Sequence, residues 1–207
     1  MDVIRVDAVP STQDVARQLP VGTVVVAEHQ TAGRGRLGRR WDAPPGSALL
    51  ASWVMPFHEL APLAAGVAAA EACGEGVRLK WPNDLLLDGR KLGGILVERT
   101  GHKCLVGTGI NLHWAPPGAA MLGLDRDELI ARMAEQMPLW FAAAPSVVLS
   151  AWRERADTLG RRVRVQLSGE TFEGVAEDIA ADGTLIVDGR PFAAGDVIHL
   201  RPASSPQ

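Results

Sequence analysis

Four arginines fall within seven residues, laced with glycine, in Gly33-Arg34-Gly35-Arg36-Leu37-Gly38-Arg39-Arg40-Trp41. No acid interrupts the run between Glu28 and Asp42. The chain as a whole has a formal net charge of −3, so this cluster is a local event. Arginine presents a flat, permanently charged fork that matches carboxylate and phosphate. Glycine lets the backbone approach a ligand closely, and successive N–H groups in a Gly-rich turn make a concave anion site. The chemistry offered is the cradling of an anionic small molecule. Arg/Gly runs also occur as solvated loops or nucleic-acid contacts. Apolar stretches at residues 21–27 and 48–55 favour the cradle, because they pin the loop between two buried strands.

Three further groups have the residue types for a site. Lys80-Trp81-Pro82-Asn83-Asp84 reads as the end of a strand and a kink. A strand at 85–87, a tight Asp88-Gly89 turn and a return strand at 90–98 follow. Gly93-Gly94 inside that strand signals a bulge or a close approach to a ligand. Lys91 stands beside the double glycine, where an anion can come close. Lys80, Asp84 and Lys91 also fit plain turn and strand charges, and the residues alone leave both readings open. Gly107-Thr108-Gly109-Ile110-Asn111 again leaves room for a ligand. Near the amino terminus, Ser11 or Thr12 caps a helix with Asp14 in its first turn. Their hydroxyls suit a small polar ligand, and Gln30 offers a donor and an acceptor at the loop's edge.

These groups need a scaffold. Residues 2–9 read as an extended lead-in, and Pro20 and Gly22 end the first helix. Residues 58–73 are alanine-rich and helical. Residues 124–143 have helical apolar spacing, with Pro138 expected to kink or split the helix. Another helix runs over about 147–159. Short turns between the central strands make much of the sheet antiparallel or mixed. Beyond Gly160 short strands alternate, with turns at Asp182-Gly183 and Asp188-Gly189. About 45 residues of this kind make a small β barrel, too small for a large core alone. The domains expected are 1–158 and 159–201, with a disordered tail at 202–207.

Composition sets the limits. The 207 residues are 47% apolar, enough for a globular core. A pI near 6.0 argues against nucleic acid as the main partner. No run approaches the roughly 20 apolar residues of a membrane span, and the amino terminus lacks a signal-peptide pattern. Cys73 and Cys104 lack metal spacing and read as buried free thiols in a reducing cytoplasm.

The motifs together resemble the biotin–protein ligases, enzymes that attach biotin to a lysine of carboxylase carrier domains. The resemblance rests on Ser11-Thr12-Gln13, Gln30, residues 33–41, Lys80-Trp81-Pro82-Asn83-Asp84, Arg90-Lys91-Leu92-Gly93-Gly94-Ile95 and Gly109-Ile110-Asn111, in that order. It implies an α+β fold like the class II synthetases and biotin–lipoate ligases: a mixed, largely antiparallel sheet flanked by helices, with an SH3-like carboxy-terminal barrel. It implies adenylation of biotin by ATP with Mg²⁺, then transfer to a carrier lysine, with no tightly bound cofactor. By resemblance, Ser11, Thr12, Gln13, Gln30, Gly33, Arg34, Gly35, Arg36, Lys91, Gly93 and Gly94 bind biotin. Arg36, Arg39, Trp41, Lys80, Asn83 and Asn111 bind the nucleotide, and Arg36, Lys91 and Asp84 serve catalysis. Asp84 either orients or deprotonates the incoming lysine or helps to position Mg²⁺; the metal ligands stay open.

The glycine-rich loop is expected to be mobile when empty and to close over the reactive adenylate. Gln13 stands where many members carry Asn. Only ten residues precede Ser11, so the expectation is a cytoplasmic ligase without the amino-terminal DNA-binding domain of the dual-function members, contacting neither DNA nor membrane. The family often dimerises through a sheet edge, which makes a homodimer one expected state. A lipoate–protein ligase is the nearest rival, and a nucleic-acid-binding module or an inactive biotin binder are rivals of other kinds.

Overall fold

The computed structural model describes residues 1–167 and 169–200; the expected tail lies outside them. Apolar and β-branched runs form strands buried on both faces. β2 (Thr23–Gln30) and β3 (Ala48–Pro56) lie near the middle of a seven-stranded sheet. The other strands are β1 (Asp2–Val9), β4 (Val77–Lys80), β5 (Asp84–Leu87), β6 (Arg90–Thr100) and β7 (Lys103–Asn111), in the order β1-β2-β3-β7-β6-β5-β4. Only β1 and β2 pair in parallel; the other pairs are antiparallel. The sheet is therefore mixed and largely antiparallel, and the extended lead-in is a full strand. β2 starts two residues later than the apolar run, because Gly22 turns with φ +93° and leaves Val21 exposed.

α1 (Thr12–Ala16) is a single short helix between β1 and β2. α2 (Ala61–Cys73) lies between the large sheet and the pair α3 (Arg126–Ala142) and α4 (Pro145–Arg155). Eleven of the thirteen residues of α2 are buried, so small side chains are what let three layers close around it. α3 is one continuous helix, against the expectation that Pro138 would split it. Met133, Met137 and Phe141 are buried on both sides of the proline, and this packing outweighs one lost backbone hydrogen bond. α4 stops at Arg155 rather than 159, because Ala156 bridges to Leu79 and the Asp157 amide donates to the Leu79 carbonyl at 2.7 Å.

The carboxy-terminal strands β8 (Arg162–Gln166), β9 (Thr171–Ile179), β10 (Leu185–Val187), β11 (Arg190–Phe192) and β12 (Asp196–His199) form a five-stranded antiparallel sheet. Its order is β11-β10-β9-β8-β12. Pairing among the described residues is not closed into a barrel, and the sheet buries its apolar face in the core shared with the rest of the chain. Val163, Val165, Ile179, Leu185 and Val197 join one core with Leu79, Trp81 and Trp152. Both cysteines are buried free thiols, as expected, and burial pushes the Cys73 thiol up to about 12. Among the described residues no helix is long and apolar enough to cross a membrane.

Candidate active site

A cavity of about 260 Å³ opens where the arginine loop, the large sheet and β12 meet. Its inner end is polar but uncharged. Ser11, Thr12, Gln13, Gln30 and Ser52 line it and are all buried. Thr12 donates to Gln30 Oε1 from its backbone N–H (2.7 Å) and its hydroxyl (3.0 Å). The Thr12 and Ser52 hydroxyls lie 2.7 Å apart. Gln30 is thereby oriented with its amide nitrogen left to donate. Gln13 is fixed the opposite way: its Nε2 donates to the carbonyls of Leu96 (3.0 Å) and Leu105 (3.4 Å), which leaves its oxygen as acceptor. Ser11 occupies the N-cap position, yet its side chain makes no capping bond. The capping expectation is corrected: α1 is one turn, and the Ser11 hydroxyl belongs to the cavity lining instead.

The outer end is cationic. Six basic side chains, Arg34, Arg36, Arg39, Arg40, Lys80 and Lys91, line the cavity against two carboxylates, Asp84 and Asp196. This imbalance favours an anionic occupant. Lys91 Nζ lies 2.6 Å from Asp84 Oδ1 and 6.0 Å from the Trp41 ring centroid. Gly94 sits beneath all three: a Cβ there would meet Lys91 Nζ and Trp41 at 3.7 Å and Asp84 at 3.8 Å. Leu92 is the bulge residue expected near the glycines, because Leu85 pairs with Gly93 and Leu86 with Lys91. Burial lowers the pKa values of Arg36 and Lys80, while nearby Asp196 and Asp84 oppose that shift in both.

The arginine loop is a hydrogen-bonded hairpin lying across the cavity. Gly35 donates to the Arg39 carbonyl (2.7 Å) and Trp41 to the Gly33 carbonyl (3.0 Å). Gly33 is required for this closure, since a Cβ would sit 2.3 Å from the Trp41 oxygen. Leu37 is at the tip, 70% exposed, with φ +55°. Arg34 turns its fork to Asp14, at 2.8 and 3.0 Å, so only its backbone is free for a ligand. That pairing lowers the Asp14 pKa. Arg36 donates to Asn83 Oδ1 (3.2 Å) and the Gly195 carbonyl (3.5 Å), and Arg39 pairs with Asp196. In this state the hairpin is docked on the carboxy-terminal sheet.

Most residues singled out in the sequence meet here; three do not line the cavity. Gly33 lies on the outer side of the hairpin, and Gly93 is packed against the Gly109 carbonyl, 2.6 Å from where its Cβ would be. Asn111 is buried and donates to the Ala120 carbonyl at 3.0 Å. The room expected at Gly109 is taken by the Trp41 indole, which would lie 2.5 Å from a Cβ there. The buried Trp41 Nε1 has no hydrogen-bond partner among the described residues. Sequence reasoning missed Ser52, Gln166, Asp196, Val197 and Ile198, all of which line the cavity. No local signal marks them; they reach the site only through long-range pairing. Among the described residues no group of three His, Cys, Asp or Glu side chains is arranged to hold a metal ion.

A largely antiparallel sheet with a glycine–arginine hairpin closing a cationic cavity defines an α+β protein built to hold an anionic ligand. The profile of the biotin/lipoate A/B protein ligase family matches residues 4–114, and that of the biotin protein ligase C terminal domain matches residues 158–200. The chain belongs to this family, among its biotin protein ligases. It is 36% identical to the biotin–[acetyl-CoA-carboxylase] ligase of Mycobacterium tuberculosis, over 87% of this chain and 80% of the relative. It is 32% identical to the bifunctional ligase/repressor BirA of Escherichia coli, over 90% of this chain and 68% of the relative. Among solved structures, the Aquifex aeolicus biotin protein ligase in complex with biotin and ATP matches with TM-score 0.84 and 25% identity, over 97% and 99% of the two chains. The Leishmania major biotin protein ligase in complex with biotinyl-5-AMP matches with TM-score 0.70 and 26% identity, over 97% and 99%.

Proposed function

We propose that the chain joins biotin to ATP, giving biotinyl-5′-AMP and pyrophosphate, and then passes biotin to a lysine of a carboxylase carrier domain. The observation that carries this reading is the two-ended cavity. Its neutral end offers the Gln30 amide as donor and the Gln13 oxygen as acceptor, which complement a ureido ring. Its other end offers Arg36, Arg39, Lys80 and Lys91 to two anions that repel each other. Lipoate, whose dithiolane ring makes no comparable hydrogen bonds, would leave the buried amides unpaired, a strong discrimination.

In the first step a biotin carboxylate oxygen attacks the α-phosphorus of ATP. The bond to the β-bridging oxygen breaks, and pyrophosphate leaves. Lys91 and the Arg34–Arg36 backbone hold the carboxylate and the phosphate, with Arg36 meeting the charge that grows on the phosphate oxygens. Arg39, Trp41, Lys80 and Asn83 face the nucleotide, and the unpartnered Trp41 indole N–H is a donor for it. Were Mg²⁺ to accompany ATP here, Asp84 would be a carboxylate to help hold it and offset phosphate charge. Asn111 joins the nucleotide side only if its bond to Ala120 opens. In the second step the carrier amine attacks the carbonyl carbon, an amide forms, and AMP leaves. In this reading Asp84, held by Lys91, orients the amine or takes its proton, unless its role is instead to hold the metal. Residues up to 158 supply most of the substrate contacts in this scheme, while Gln166 and 196–198 complete the cavity and Gly195 and Asp196 hold the hairpin.

The test is ATP–pyrophosphate exchange with and without biotin. Exchange that depends on biotin, and not on lipoate, is the expected result. No exchange with biotin, or equal exchange with lipoate, overturns the assignment.

A further inference from the structure

β12 reaches the cavity through Asp196, Val197 and Ile198; the next residue, His199, lies behind them. It belongs to a part-buried chain of polar contacts that ends on the 80–84 turn. The Trp81 backbone N–H donates to Thr158 Oγ1 at 3.0 Å. Thr158 has no exposed surface, and its Oγ1 lies 3.2 Å from His199 Nε2. His199 Nδ1 lies 3.3 Å from Asp157 Oδ2. Trp81 is itself pinned, since its indole donates to the Gly183 carbonyl at 3.0 Å.

Counting protons gives this chain a direction. Thr158 Oγ1 already accepts from Trp81, and its own proton has His199 Nε2 as its partner. The histidine is then the neutral form that carries its proton on Nδ1, towards Asp157. A protonated His199 would aim a second donor at Thr158 and strand the threonine's proton in a buried place. The charges around the ring are mixed: Lys80 on β4 and Arg161 just before β8 favour the neutral form, while Asp157 after α4 and Asp84 on β5 oppose it. Burial, seconded by Lys80, lowers its pKa to about 4.

We propose that His199 is a positioning residue for the nucleotide side of the cavity, acting through Thr158 to hold the 80–84 turn against β12. The inference rests on the reading that Lys80 and Asn83 face ATP. At the ureido end the hydrogen bonds of Thr12 and Gln13 run to Gln30, Ser52, Leu96 and Leu105, not to Trp81, Thr158 or His199. A loss of the brace is therefore felt by ATP and not by biotin.

The experiment compares His199→Asn and His199→Gln in the full chain. Asn is too short to reach Thr158, whereas Gln places an oxygen close to the Nε2 position. In His199→Asn the KM for ATP rises about 10-fold, the scale of one buried hydrogen bond, while the KM for biotin stays within about 2-fold. His199→Gln stays close to the parent in both. Equal values for Asn and Gln, or equal rises for ATP and biotin in the Asn variant, overturn the proposal. Amide hydrogen exchange at Trp81 gives a readout independent of turnover: faster in Asn and unchanged in Gln is expected. An unchanged Trp81 amide in the Asn variant also overturns the proposal. If the parent makes no biotinyl-adenylate but the Trp81 amide responds as described, the brace stands and the assigned activity is what has failed.

Discussion

Lys91 and Asp84 are held 2.6 Å apart in a cavity where cations outnumber acids. The pair is partly exposed, so its ion pairing contributes little to stability. Its use lies in charge placement at the reacting atoms. Lys91→Ala should slow adenylation by ~100-fold or more, the scale of losing one charge-stabilising donor. Pyrophosphate exchange near the parent rate would remove Lys91 from the mechanism. His199 carries a different consequence. Its folded pKa of about 4 lies below the ordinary 6.5, so the unfolded chain takes up the proton first. The stabilisation is full above about pH 6.5 and is lost as pH falls towards 4. His199→Gln should flatten the melting temperature across that window; an unchanged slope would exclude His199 as its source. The motifs of the hairpin and of 80–84 were legible as residues because charge and glycine are local signals. Asn111 and Ser11 were not, because the sequence cannot say that one turns to Ala120 and the other leaves its cap.

At the scale of elements, the hairpin between β2 and β3 is what closes the cavity. It is closed by its own backbone bonds and tied at three places: Arg34 to Asp14, Arg36 to Asn83 and Gly195, and Arg39 to Asp196. Arg36 is the more buried tie, whereas the Arg34 and Arg39 pairs are partly exposed and of small individual worth. Arg36→Gly should therefore release biotinyl-adenylate, seen as biotinylation of bystander proteins in a mixture; a variant that retains its adenylate like the parent would refute this. The strands flanking the hairpin and the largely antiparallel pairing followed from apolar runs and short turns, whereas the strand order did not. The uninterrupted α3 did not follow, because a proline's local cost says nothing of the methionines that hold both halves in place.

Across the whole molecule, two sheets share one core, and the site lies on their seam. The small sheet's contribution, Gln166 and 196–198, was invisible in the sequence. Those residues sit far along the chain from every motif and carry no unusual composition. They are brought in because Val163, Val165 and Val197 must bury against Trp81 and Trp152. α2, buried over eleven of its thirteen residues, bears on how this seam comes to exist. Alanine coils with the least loss of side-chain freedom, so α2 has the best intrinsic chance of forming early. The β3–β7 pairing, by contrast, must bring Ala48 to Asn111 across a long intervening chain. Pulse-labelled refolding should find the α2 amides protected before those of β7, and simultaneous protection would contradict that order. A helix that disappears from view in the finished molecule would then be the first thing built, and the strands would assemble around it.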